Sequence, residues 1–239
     1  MDKNNFFVLI QEYSDKLNIE LNNKQKEQFF KYMNLLLEWN EKINLTAITE
    51  PNEIVLKHFI DSMTILKYVD NDLKLIDVGT GAGFPGIPVK IVNNSIDVTL
   101  LDSLNKRINF LNEVIGQLEL HGINTTHARV EEFGKNKIFR ENFDIVTSRA
   151  VASLNILVEY MLPLVKVGGK CICMKGSNVE EEIENSKNAI NILGGKIEKV
   201  ESFELPNSNI SRNIIIIKKL KETPIKYPRK PGIPSKEPL

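Results

Sequence analysis

The chain has 239 residues, with 31 basic side chains against 31 acidic ones and 42% hydrophobic residues. A chain of this length can bury roughly 70% of its unfolded surface around one core, so it needs no disulfides, and its zero net charge excludes bulk electrostatic attraction as a basis for binding nucleic acid. No apolar stretch reaches membrane-spanning length, and the N-terminus opens on Asp2, Lys3 and an amphipathic segment rather than a secretory core, which predicts a cytoplasmic protein without membrane association.

In the first seventy residues apolar side chains recur at helical spacing. Phe6, Phe7, Ile10, Tyr13 and Leu17 mark one helix, and Phe29, Phe30, Met33, Leu36, Leu37 and Ile43 a second. A third starts at Pro51, a residue suited to a first helical turn, and runs through His58 to Leu66. After Asp72 short β-rich runs alternate with helical stretches. The strands are read at 73–78, 97–101, 123–127, 143–148 and 170–174, and the helices at 85–92, 104–120, 154–165 and 179–193. Such alternation predicts a parallel sheet covered by helices on both faces. Two more strands, 196–205 and 213–219, are joined by a connection too short for anything but an antiparallel pair. The expected fold is therefore α/β, a mostly parallel seven-stranded sheet with an antiparallel closing hairpin and an N-terminal helical layer. Its segments are the helical layer at 1–70, a core at 71–220 and an arm at 221–239.

The arm holds five prolines after Lys221 and no apolar period, so it reads as extended chain rather than helix. From Lys218 to Leu239 seven cations face two anions, which makes it a candidate strap for RNA phosphates or, alternatively, an ordinary solvated tail. The two cysteines, Cys171 and Cys173, fall in an apolar run and read as reduced core thiols, expected on opposite sides of their strand and so unable to pair. No second cysteine or histidine cluster completes a metal site, and none is expected.

The most specific feature joins the first strand to the helix after it: Asp77-Val78-Gly79-Thr80-Gly81-Ala82-Gly83-Phe84-Pro85-Gly86. Glycines there let a ligand approach main-chain N–H groups, and the helix N-terminus adds partial positive charge. From Gly81 the loop matches G-x-G-x-x-G, with Asp102 about twenty residues on, as in dinucleotide enzymes. From Asp77 it reads D-x-G-x-G-x-G, the pattern of loops that bind S-adenosylmethionine. In both readings Asp102 accepts hydrogen bonds from a ribose.

Three considerations favour the methyl donor: the closing hairpin, the lack of a second nucleotide-binding half, and a family resemblance. The loop, Asp102-Ser103-x-x-Lys106-Arg107-x-x-Phe110-Leu111, Ser148-Arg149-Ala150-Val151-Ala152, Lys175-Gly176, Asn44-Leu45-Thr46, His58-x-x-Asp61-Ser62 and the tail motif from Thr223 to Pro234 together resemble the RsmG family, also called glucose-inhibited division protein B. The resemblance implies a Rossmann-like class I methyltransferase fold and transfer of a methyl group from S-adenosylmethionine to N7 of a guanine in 16S ribosomal RNA. The implied partner is that RNA or the small ribosomal subunit, bound by a monomer.

Carried onto this sequence, the family pattern assigns cofactor contacts to Gly79, Gly81, Phe84, Asp102, Val130, Glu131 and Arg149. Val130 departs from the alanine more usual there, a change a backbone contact tolerates. Arg149 can hold the cofactor carboxylate, an RNA phosphate or a plain ion pair. Lys106, Arg107, Arg229 and Lys230 are candidates for RNA contact, with solvated cations as the alternative. His58 and Asp61, three apart on one helix, either make a structural hydrogen bond or border the substrate cleft.

Guanine N7 carries a free lone pair, so the reaction needs no base and no catalytic residue is expected. Alignment of the reactants can supply up to roughly 7–11 kcal/mol. The end of the fourth strand, Thr147-Ser148-Arg149-Ala150, lacks the Asn/Asp-Pro-Pro-aromatic stretch typical of amino-group methylation, and neither cysteine follows a loop proline as a cytosine-C5 nucleophile would. Hydrolase and kinase signatures are missing too. The competing readings are an NAD-dependent dehydrogenase and a non-catalytic ribosome-binding module.

Overall fold

The computed structural model describes residues 1–239. Helix α1 (Lys3–Lys16) begins where the Asp2 carboxylate accepts the Asn5 N–H at 3.0 Å, and α2 (Asn23–Ile43) begins at a reciprocal cap between Asn22 and Gln25. The third helical segment does start at Pro51. It runs as α3 (Pro51–Ile54), a π-helical stretch Val55–Ile60, and α4 (Asp61–Met63), followed by a 3-10 turn at Leu66–Tyr68. Apolar spacing gave no sign of the π-helical stretch, a distortion often found at functional sites. It carries Lys57 and His58.

Seven strands follow: β1 (Lys74–Val78), β2 (Asp97–Asp102), β3 (Ile123–His127), β4 (Phe143–Arg149), β5 (Val165–Lys175), β6 (Gly195–Glu204) and β7 (Ser211–Lys219). Their order is β3-β2-β1-β4-β5-β7-β6, parallel up to β5, with β7 antiparallel to both β5 and β6. The connecting helices are α5 (Gly86–Val92), α6 (Asn105–Gln117), α7 (Val130–Phe133), α8 (Leu154–Met161) and α9 (Glu180–Ile192). The helix read at 154–165 stops at Met161 because the chain from Val165 already belongs to β5, and α7 was not foreseen, being a single turn.

Two apolar cores lie on the two sheet faces. Leu75, Ile145, Ile172, Ile214 and Ile216 join α1–α6 in one, and Ile76, Val146, Cys171, Cys173, Ile215 and Ile217 join α8 and α9 in the other. One expectation is thereby corrected. Cys171 and Cys173 share a face, as residues two apart on a strand must, with Ile172 turned the other way. Both are buried free thiols, and burial pushes the Cys173 thiol up to about 12.

The arm is also not the free extended segment that was expected. It ends in a short helix, α10 (Ile233–Lys236), and docks along α7 and α8 with Tyr227, Pro228 and Pro234 buried. Fully buried Lys219 donates to the Leu162 carbonyl and the Thr223 hydroxyl at 2.5 Å each and pairs with Glu141 at 3.0 Å. Arg140 donates to the carbonyls of Thr223 (2.6 Å) and Tyr227 (2.7 Å). Local composition could not reveal this docking, because Arg140, which satisfies two of the arm's carbonyls, lies 83 and 87 residues upstream of them. No helix is long and apolar enough to cross a membrane.

Candidate active site

The carboxyl ends of β1, β2, β3 and β4 meet in a cleft. That is where ligands of open α/β sheets bind, because the strand order reverses there. Gly79 and Gly81 hold φ of +66° and +62°, a region side chains other than glycine enter at a cost. A Cβ on Gly79 would lie 2.6 Å from Cγ2 of Val151, so only glycine fits beneath that side chain. At Gly81 a Cβ would meet nothing within 4 Å, and the main chain faces open space.

Two buried carboxylates brace this loop. Asp77 accepts the Thr80 hydroxyl at 2.7 Å and the Gly86 N–H at 2.8 Å, while its Oδ1 is buried without a partner. Burial pushes its pKa up to about 6, against the opposing pull of those two hydrogen bonds. Asp102 ends β2 and accepts the N–H of Gly81 and of Leu104, both at 2.9 Å, and Arg107 at 3.2 Å.

Gly79, Asp102, Val130, Glu131, Val151 and Tyr160 line a cavity of about 160 Å³. The structure thus brings together five of the seven residues proposed for the cofactor, since Gly81 touches Asp102 and Gly79, Val130 and Glu131 share the cavity. Of the other two, Arg149 lines a second space and Phe84 is buried behind it. There Phe84 stacks on the His58 ring at 4.5 Å between centroids, and the Arg149 guanidinium carbon sits 5.0 Å from the Phe84 ring centre.

That second cavity, about 360 Å³, is lined by Lys57, His58, Asp61, Arg149, Lys175 and Arg212 together with the uncharged residues around them. Arg149 donates to the Lys57 carbonyl (2.9 Å), to Asp61 (3.3 Å) and to Nδ1 of His58 (3.1 Å). Asp61 also receives Arg212 at 3.0 Å, and its Oδ1 is buried with no partner. Nε2 of His58 lies 2.9 Å from the Thr46 hydroxyl. With Nδ1 accepting from Arg149, the proton belongs on Nε2. Burial, reinforced by the Arg149 charge, lowers the His58 pKa to about 3, so the ring is neutral. His58 and Asp61 therefore do both things considered for them: they form hydrogen bonds inside the protein and they border a cleft.

The two cavities share one wall. Ala150, at φ +56°, lines the second and Val151 lines the first. Lys175 fixes this turn by donating to the Ala152 carbonyl at 2.6 Å and pairing with Glu182 at 2.7 Å. A larger cavity of about 760 Å³ lies elsewhere, between the end of α1 and β6, and gathers none of these groups.

Among the cations considered for RNA, Lys106 and Lys230 are exposed with no hydrogen bond or ion pair within the protein. Arg107 is turned onto Asp102, and Arg229 forms a two-pronged pair with buried Glu159, Nε to Oε1 at 2.9 Å and Nη2 to Oε2 at 2.6 Å. Of the two arm cations considered for RNA, Arg229 is thus engaged inside the protein. Lys57, Arg212 and Tyr160 were not singled out in the sequence. Arg212 carried a faint signal as the single charge leading into the isoleucine run of β7, while nothing local marks Tyr160.

Comparison with known proteins adds sequence and fold relatives. The sequence model described as "rRNA small subunit methyltransferase G" matches residues 25–215. The "Ribosomal RNA small subunit methyltransferase G" of Acetivibrio thermocellus is 58% identical over 232 residues, 97% of this chain and 96% of that protein. The protein of the same name from Bacillus cytotoxicus is 55% identical over 223 residues, 92% and 93% of the two chains. Among solved structures, TrmK of M. capricolum in complex with S-adenosyl-homocysteine superposes with a TM-score of 0.53 at 20% identity, covering 68% of this chain and 69% of that one. A SAM-dependent methyltransferase from Aquifex aeolicus gives 0.52 at 16% identity, covering 70% and 93%. At those identities the two structures share the fold.

Proposed function

The chain belongs to the rRNA small subunit methyltransferase G family, and on that premise we propose how its two cavities divide the work of methylating a guanine. It is an S-adenosylmethionine-dependent methyltransferase of small-subunit ribosomal RNA, acting at N7 of a guanine in 16S RNA. The observation that carries the reading is the pair of cavities on either side of the Ala150–Val151 turn, one in which Asp102 and Glu131 stand with the single cation Arg129, the other in which Lys57, Arg149, Lys175 and Arg212 stand with the single carboxylate Asp61.

The acidic cavity fits the cofactor. Gly81 turns main chain to open space, Asp77 keeps a buried oxygen unpartnered beside the loop, and Asp102 and Glu131 offer acceptors to hydroxyl and amino groups. When bound there, S-adenosylmethionine supplies an electrophilic methyl group on a positively charged sulfonium. We assign Gly79, Gly81, Asp102, Val130 and Glu131 to holding it. Asp102 takes the ribose and the segment at Val130 and Glu131 the base. Phe84 and Arg149 stand on the far side of the shared wall.

The cationic cavity receives the RNA. Lys57, Lys175 and Arg212 present positive charge there, and the flat ring of His58 stacked on Phe84 closes its floor. Arg149, bound on three sides by Lys57, His58 and Asp61, contributes a fixed charge and shapes the cavity. Guanine N7 needs no proton removed, so these residues bind, orient and exclude water, and no general base is assigned. Lys106 extends the basic surface for phosphates outside the cavity. The helical layer at 1–70, the core at 71–220 and the arm at 221–239 act as one unit, working as a monomer in the cytoplasm, where ribosomes assemble.

The test is direct. Purified protein, methyl-labelled cofactor and small subunits lacking the modification are incubated, and the RNA is digested to nucleosides. Label in 7-methylguanosine is the expected outcome. Label in another nucleoside, or none, contradicts the assignment.

A further inference from the structure

We propose that the C-terminal arm is a positioning element of the cofactor cavity rather than a strap for RNA; this inference rests on the reading of that cavity given above. Three contacts lead from the arm into the cavity wall. The Gly232 N–H donates to Oε1 of Glu131 at 3.2 Å. Ser235 exchanges a hydrogen bond with the Tyr160 hydroxyl at 3.1 Å. Pro228 packs on Gly134, where an added Cβ would lie 3.1 Å from its Cγ, directly behind the α7 turn that carries Val130 and Glu131. Glu131 and Tyr160 both line the cavity, so two wall residues owe their orientation to chain more than seventy residues further on.

The arm is anchored as a wall should be. Arg229 grips Glu159, the neighbour of Tyr160, through its main-chain N–H at 2.8 Å and through the Nε and Nη2 edge of its guanidinium. Glu159 is 1% exposed, so the arm supplies the only cation that neutralises this buried carboxylate. Upstream, Arg140 and Lys219 tie down the chain at Thr223 and Tyr227. Gly232 follows these anchors with φ +82°, a conformation that aims its N–H at Glu131 and that proline cannot adopt.

Binding at one site and docking at another are linked reciprocally. If the docked arm holds Glu131 and Tyr160 in place for the cofactor, a bound cofactor must hold the arm more firmly by the same factor.

The experiment compares the full chain with Gly232→Pro, which removes the one N–H donor and its backbone conformation but no buried side chain. S-adenosylhomocysteine affinity is measured by calorimetry, affinity for a small-subunit RNA fragment by filter binding at several salt concentrations, and exchange of the amides of residues 229–236 with and without S-adenosylhomocysteine. The variant is expected to bind S-adenosylhomocysteine about tenfold more weakly, within the usual range of coupling between sites. Its KM for the methyl donor should rise with kcat unchanged, while RNA affinity and its salt slope stay at wild-type values. In the wild type, S-adenosylhomocysteine should slow exchange across 229–236. A folded variant with wild-type S-adenosylhomocysteine affinity overturns the proposal while leaving the methyltransferase reading intact. So does one that loses RNA affinity and keeps S-adenosylhomocysteine. A wild-type chain that binds no S-adenosylhomocysteine overturns both. Arg229→Met, which loosens the whole arm, should repeat the cofactor effect; if it weakens RNA binding alone, the strap reading returns.

Discussion

The two cavities meet at one turn and are built in opposite ways. The acidic one is assembled mainly from the ends of consecutive strands, β1, β2 and β3, and is closed by Val151 after β4 and Tyr160 of α8. The cationic one draws Lys57 and His58 from a π-helical stretch, Arg149 from the end of β4, Lys175 from the end of β5 and Arg212 from the start of β7, 155 residues from Lys57. One suits a small cation whose hydroxyls and amino groups need acceptors. The other suits a polyanion.

If the division is real, substitutions should separate cleanly into those that weaken the cofactor and those that weaken RNA. The largest effect is expected at Asp102. Asp102→Ala removes a charged acceptor, worth about 1.5–3 kcal/mol, and should weaken cofactor binding by about 10- to 150-fold in calorimetry with RNA affinity unchanged. A loss of both together would break the comparison.

His58 tests the floor of the cationic cavity through pH. Its folded pKa of about 3 lies below the unfolded 6.5, so the unfolded chain binds more protons between those values, and the stability His58 contributes is complete above pH 6.5 and lost as the pH falls toward 3. Asp77 has the opposite sign. Its pKa, raised to about 6, stabilises the fold below pH 3.8 and loses that contribution as the pH rises through 6. The stability advantage of wild type over His58→Asn should therefore shrink by up to about 1.4 kcal/mol per pH unit below 6.5, read from denaturant melts. A pH-independent difference would show that His58 is not buried as a neutral ring.

Arg212→Ala should shallow the log–log salt dependence of RNA binding by about 0.7, the value of one contact on single-stranded RNA, without touching cofactor affinity. Smallest of all, Lys42→Ala breaks an ion pair whose partners are both more than half exposed, and should leave the denaturant melt and both affinities at wild-type values.

The same contrast explains what could be read from the sequence. Asp77, the glycines and Asp102 lie within 26 residues, and their spacing states the strand, the turn and the ribose acid at once. The seven strands and their antiparallel closure followed from alternation and from one short connection. The cationic cavity had no such local signature. His58 and Asp61 were visible as a pair, but their partner Arg149 stands 88 residues from Asp61, and Arg212 another 63 beyond it. The arm misled for a related reason. Prolines and cations describe a solvated tail equally well as a docked one, and the deciding groups, Glu159 and Arg140, look ordinary in their own helix and loop. The cysteine faces were a matter of counting, since a period of two keeps Cys171 and Cys173 on one side.

The most direct measurement is nucleoside analysis of small-subunit ribosomal RNA from cells with and without this protein. The account predicts that its loss removes one 7-methylguanosine, restored by wild type and not by Asp102→Ala. An RNA whose 7-methylguanosine content is the same in both would contradict it.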